Sequence, residues 1–148
     1  MITLYLDTCC LNRPFDEPWQ LRVRAEASAV MEILQGVAQG DYQLVSSDIL
    51  CWEIDKHPDP HKKSELFKML TLASRLTEFH PDMGARAEFL TTLGFRAFDA
   101  LHVAAAEQAA VNCFLTTDDK LLKLAARHSG VLKTSVMNPV QWIWTQMI

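Results

Sequence analysis

Short apolar runs alternate with stretches of amphipathic helical period along the whole chain, and that alternation restricts it to a few architectures. Residues 2–6 form a nearly continuous apolar run, the pattern of a strand covered on both faces of a parallel sheet, and the run ends in Asp7. After a loop containing Asn12, Pro14 and Pro18, residues 21–38 repeat apolar side chains at Val23, Ala27, Val30, Leu34 and Val37, with Gly40 just beyond as a stop signal. Residues 42–45 read as a second strand, and Ser46 or Ser47 can cap the helix that follows, which Pro58 and Pro60 should end. Further helices are expected over 62–75, 82–93, 97–110, 120–128 and 139–146, with strands over 76–79 at a sheet edge, 113–115, and 131–136. Strands alternating with helices imply a three-layer α/β/α sandwich around a central, mostly parallel sheet of four to five strands, joined by right-handed crossovers. The 148 residues suit one such domain over 1–148, with no linker or repeat to mark a second.

Charge and cysteine usage narrow the function classes. Lys and Arg number 14 against 18 Asp and Glu, a net charge of −4, which speaks against gripping nucleic acid through bulk positive charge. A local basic rim stays compatible with it; Arg13, Arg22, Arg24, Arg96, Lys120 and Lys123 lie close in sequence to acids of interest. No run approaches the ~20 apolar residues of a membrane span, and Asp7 interrupts the N-terminus before a signal-peptide apolar region forms. A cytoplasmic protein with no membrane partner is expected. Cys9, Cys10, Cys51 and Cys113 form no C-x-x-C, so zinc-ribbon and thioredoxin readings fail and reduced thiols are expected.

In open α/β sheets, ligands bind outside the carboxyl ends of the strands, where the strand order reverses. Asp7 follows the first strand directly, and Asp118 follows the 113–115 strand by three residues. Glu53 shares a helix face with Ile49 and Leu50, so its carboxylate leaves an apolar face. Asp99 opens a helix whose only other charged residue up to position 110 is Glu107, and such acids are almost never fully buried unpaired. Two carboxylates about 4 Å apart repel by roughly 4 kcal/mol at an effective dielectric near 20. Convergence of the four therefore demands protons or a cation, and an all-oxygen, strongly negative site suits Mg²⁺ or Mn²⁺. Each acid also has a plain structural reading: Asp7 as a turn residue, Glu53 as a solvated helix acid, Asp99 at a helix N-terminus, and Asp118 or Asp119 as a cap. His102 lies one turn after Asp99, where it could touch the site, but packing is the preferred reading, and His57 and His61 are read as solvated loop residues separated by prolines.

The segments Leu4-Tyr5-Leu6-Asp7-Thr8, Ser47 to Glu53, Phe98-Asp99-Ala100-Leu101-His102-Val103-Ala104-Ala105-Ala106 and Phe114 to Leu121 together resemble the PIN domain family. The resemblance implies a metal-dependent ribonuclease in which Asp7, Glu53, Asp99 and Asp118 hold one or two Mg²⁺ or Mn²⁺ ions. Water would attack an RNA phosphodiester in line, leaving 5′-phosphate and 3′-hydroxyl ends. Thr116 matches a hydroxyl residue that would orient a metal-bound water. Asn12 is a candidate helper near Asp7, Asp119 is an extra acid whose part the sequence does not separate from that of Asp118, and Arg13, Arg96 and Lys120 are candidates to contact RNA. A large branch of the family are VapC toxins, which implies a small antitoxin that inserts Arg or Lys among the carboxylates. It also implies a homodimer, for which the aromatic segment 142–148 is the candidate surface unless it is core.

Rival readings fall on particular residues. A haloacid-dehalogenase-like phosphatase needs a second acid two positions after the first, where this chain has Cys9. A low-molecular-weight tyrosine phosphatase needs an Arg at a spacing where this chain has Phe15 and Asp16. A receiver-type domain lacks an acid like Asp99. The surviving non-enzyme alternative is a PIN-type RNA-binding or scaffold domain without catalysis. Setting the four acids aside leaves 14 charges of each sign, so the whole acidic excess belongs to one pocket.

Overall fold

A computed structural model describes residues 1–148. The strands β1 (Thr3–Leu6), β2 (Gln43–Ser47), β3 (Arg75–Thr77), β4 (Cys113–Leu115) and β5 (Ser135–Met137) form one sheet in the order β3-β2-β1-β4-β5. Every pairing is parallel. The central strand explains the apolar run at the N-terminus: Leu4, Tyr5 and Leu6 are all fully buried, because helices cover both faces. Eight helices, α1 (Thr8–Asn12), α2 (Leu21–Ala38), α3 (Asp48–Asp55), α4 (Pro60–Leu70), α5 (Pro81–Thr92), α6 (Ala97–Gln108), α7 (Asp119–Arg127) and α8 (Pro139–Gln146), complete the α/β sandwich. The chain travels outward from β1 through β2 to β3, crosses back to β4 beside β1, and continues to β5. This reversal puts the switch point between β1 and β4.

Several boundaries differ from the sequence expectation for physical reasons. The segment after Asp7 is the short helix α1 followed by a 3-10 turn at Arg13–Phe15, which accepts Pro14 because a first-turn proline lacks only an N–H that needs no partner. Pro60 likewise opens α4 rather than ending α3, since Asp59 caps the new helix through the N–H groups of His61 and Lys62. With α4 ending at Leu70, residues 75–77 are free to add β3 at the sheet edge. The last strand sits at Ser135–Met137, beyond the 131–134 stretch expected to start it. In the C-terminal segment Trp142 joins the core against Tyr42, whereas Trp144, Met147 and Ile148 are exposed. No helix is long and apolar enough to cross a membrane.

Candidate active site

Asp7 is placed by the sheet itself. Its N–H donates to Leu115 O at 2.9 Å, extending the β1–β4 ladder by one bond, and the chain then turns into α1. The carboxylate is nearly buried. Oδ1 accepts from the Thr8 N–H at 2.8 Å, and Oδ2 accepts from the Thr116 hydroxyl at 2.8 Å and lies 3.3 Å from Cys9 Sγ. Thr116 is fully buried and also accepts from the Asp118 N–H at 3.2 Å, which ties the loop after β4 to the carboxylate at the end of β1. Its one hydroxyl proton goes to Asp7, so it holds that carboxylate rather than waiting free for a water.

Glu53 arrives from β2. Ser47 ends that strand and caps α3, accepting from the Leu50 N–H at 3.0 Å, and this abrupt entry turns the second turn of α3 toward β1. The Glu53 carboxylate accepts from the Thr8 hydroxyl and meets His102 Nε2 at 3.0 Å. Burial pushes this carboxyl up, but the His102 imidazole, the Thr8 hydroxyl and Lys56 together outweigh burial and hold it below its ordinary range.

His102 is the residue whose place departs most from the sequence reading. It is buried, as a packing histidine would be, yet its Nε2 faces two acids, Glu53 at 3.0 Å and Asp7 Oδ1 at 3.9 Å. Its Nδ1 meets the fully buried Tyr5 hydroxyl at 2.7 Å, and that hydroxyl meets Ser47 Oγ at 2.6 Å. The signal lay in its spacing: three residues after Asp99, His102 shares that acid's helix face.

Asp99 stands in the first turn of α6 with its carboxyl pushed up to about 6, first by burial and then by the charges of Asp7 and Asp118, while His102 and Arg96 act in the other direction. Asp7 and Asp118 thus act on Asp99, and Glu53 joins the group through Asp7 and His102, although the ligand atoms are not equally close. One atom from each of Asp7, Glu53 and His102 lies within 4.8 Å of the others, and that group includes neither Asp99 nor Asp118. Asp118 caps α7 through the N–H groups of Lys120 and Leu121. Asp119 is exposed and taken up by the Arg22 guanidinium at 2.6 and 2.8 Å. Asn12 lies at the end of α1 without a side-chain hydrogen bond at its cap position.

The basic residues divide into committed and free. Arg13 pairs with Asp16 and with the buried Glu26, and Arg22 pairs with Glu26, Asp119 and the Thr117 carbonyl. Arg96 and Lys120 are exposed beside Asp99 and Asp118, and Lys56 lies over the Phe98 ring at 4.7 Å.

Carboxylates gathered at the carboxyl ends of the central strands, with an imidazole among them, have the donor chemistry to hold a divalent cation. The fold that carries them is an α/β sandwich of PIN-like type. A crystal structure of VapBC2 from Rickettsia felis bound to a DNA fragment from their promoter matches it with a TM-score of 0.60 and 15% sequence identity, over 93% of this chain and 98% of the other. At that identity the likeness is one of fold. No protein-family profile matches the chain, and no curated protein does.

Proposed function

We propose that this chain is a divalent-metal-dependent endoribonuclease and the toxin of a toxin–antitoxin pair. The observation that carries the reading is the site at the β1–β4 switch point: Asp7 and Glu53 fixed by hydrogen bonds, with Asp99 pushed up to about 6 first by burial and then by the charges of Asp7 and Asp118. Such a pocket is electrostatically incomplete without a cation. Asp7, Glu53, Asp99 and Asp118 would hold Mg²⁺ or Mn²⁺. The ion supplies a water of lowered pKa and offsets charge on the phosphoryl oxygens. Thr116 and Thr8 keep Asp7 oriented, Thr8 and His102 keep Glu53 oriented, and Arg96 and Lys120 are placed to meet RNA phosphates. The VapBC2 likeness supports a protein partner of antitoxin type. The exposed Trp144 and Met147 support a second copy at the C-terminus.

Purified protein incubated with end-labelled RNA in Mg²⁺ or Mn²⁺ tests the activity. Endonucleolytic products are expected, and Asp7→Asn or Asp99→Asn should lower the rate about a hundredfold or more while circular dichroism stays native. Cleavage that persists in EDTA or in both variants would show the reading to be wrong, and RNA bound without cleavage would favour the scaffold alternative.

A further inference from the structure

The donor atoms that stand closest together in the pocket are two oxygens and a nitrogen. Glu53 Oε1 and Asp7 Oδ1 lie 3.0 and 3.9 Å from His102 Nε2. Donors held about 2.1 Å from one ion can be no more than about 4.2 Å apart, and neighbours in an octahedron are about 3.0 Å apart. Both separations fall within that span. A packing histidine needs a partner for each ring nitrogen, and Tyr5 and Glu53 already supply them. The second carboxylate facing Nε2, that of Asp7, is surplus to packing.

A ligating Nε2 must offer its lone pair, which moves the ring proton to Nδ1. The surroundings accept it there: Nδ1–H can donate to the Tyr5 oxygen at 2.7 Å, and the Tyr5 hydroxyl can turn its own proton to Ser47 Oγ at 2.6 Å. In the opposite direction, Ser47 donates to Tyr5, Tyr5 donates to Nδ1, and Nε2–H donates to Glu53. Tyr5 thus serves either tautomer, and ligating histidines characteristically have the second nitrogen held by such a partner.

We infer that His102 is a metal ligand through Nε2, together with Asp7 and Glu53, and that it makes the site selective for a first-row transition ion, Mn²⁺ over Mg²⁺. Mg²⁺ takes oxygen donors and gives up water reluctantly. Mn²⁺ shares that liking for carboxylates but, as the lowest member of the first-row series, also gains from a nitrogen donor, so it is the ion of this oxygen-rich site that His102 would favour over Mg²⁺. This rests on the metal-site reading of the proposed function, and it adds a nitrogen to a donor set otherwise made of acids.

The test is pulsed electron paramagnetic resonance on the intact protein with substoichiometric Mn²⁺, prepared once with natural histidine and once with ¹⁵N-histidine, alongside competition by Mg²⁺. Bound Mn²⁺ should show one directly coordinated ¹⁴N that becomes ¹⁵N on labelling. His102→Gln should abolish that coupling and lower the Mn²⁺ over Mg²⁺ preference about tenfold or more. If His102→Gln does not fold, the wild-type isotope comparison decides alone. Mn²⁺ bound in a manner lost on Asp7→Asn, but with oxygen ligands only, would overturn the His102 inference and leave the ribonuclease reading standing. Failure to bind either ion would overturn both.

Discussion

Asp99 illustrates how a buried acid among other acids weakens the fold that carries it. Its carboxyl is pushed from an ordinary 3.8 to about 6, so between those values the folded protein binds more protons than the unfolded chain, and stability falls as pH rises through that window. The loss is complete above about 6 and absent below about 4. Asp99→Asn removes the charge; in the metal-free protein it should raise the melting temperature at pH 7.5 and leave it nearly unchanged at pH 4, as thermal scans at the two pH values would read. A divalent ion should stabilise the wild type at pH 7.5 and lose that effect in the variant. Asp7, Glu53, Asp99 and Asp118 could be picked out of the sequence because a strand end or an apolar helix face is a costly place for an acid. Which of them stand within ligand distance of one another was not readable, since that depends on χ angles and on α3 and α6 meeting above the sheet. His102 reads as core in the sequence because burial and ligation both place a histidine on an apolar face, and only the approach of Asp7 to the same nitrogen that meets Glu53 separates the two.

At the level of elements, three helices end with one device, and two of them show it in the sequence. In α2, Gly40 has φ +84, with Gly40 N–H bonded to Val37 O and Asp41 N–H to Gly36 O. In α5, Gly94 has φ +108, with the same pair of bonds to Thr91 and Leu90. Both are Schellman caps with glycine where the backbone turns left-handed. The end of α6 repeats the bonds, Ala110 to Glu107 and Val111 to Ala106, but puts Ala110 at φ +55. Hence α6 stops at Gln108 while its apolar pattern runs on to 110, and no glycine announces the end. Ala110→Gly should stabilise the protein by about 0.5–1 kcal/mol in urea unfolding, the left-handed strain of ~1–2 kcal/mol less the added freedom of the unfolded chain. Gly36 makes the opposite case: a Cβ there would meet the Tyr42 ring at 2.6 and 2.7 Å, so Gly36→Ala should destabilise by about 1–3 kcal/mol despite its better helix propensity.

Across the whole molecule, charge is used in two separate places. Glu26, buried in α2, accepts from Arg13 at 2.8 Å, Arg22 at 3.2 Å and Asn138 at 2.6 Å, while Arg22 reaches on to Asp119 and Thr117. This network joins α2 to the 3-10 turn and to the starts of α7 and α8, and it steadies the loop that carries Thr116 and Asp118. Glu26→Ala should cost about 2 kcal/mol by chemical denaturation, less than the ~3–5 kcal/mol of a fully buried broken pair because both arginines can reach water. Arg13 and Arg22 look like RNA contacts in the sequence, where a positive charge near an acid-bearing segment cannot be told from one already neutralised inside the fold. The second place is the switch-point pocket, where acids outnumber bases and His102 is the nearest cation-forming group. Crystals soaked in Mn²⁺ and measured at an energy where manganese scatters anomalously test that pocket most directly. An anomalous peak between Asp7 and Glu53, absent from Asp7→Asn crystals soaked in the same way, is the predicted result; density empty of manganese there, with ions only elsewhere on the surface, would contradict the metal-dependent account.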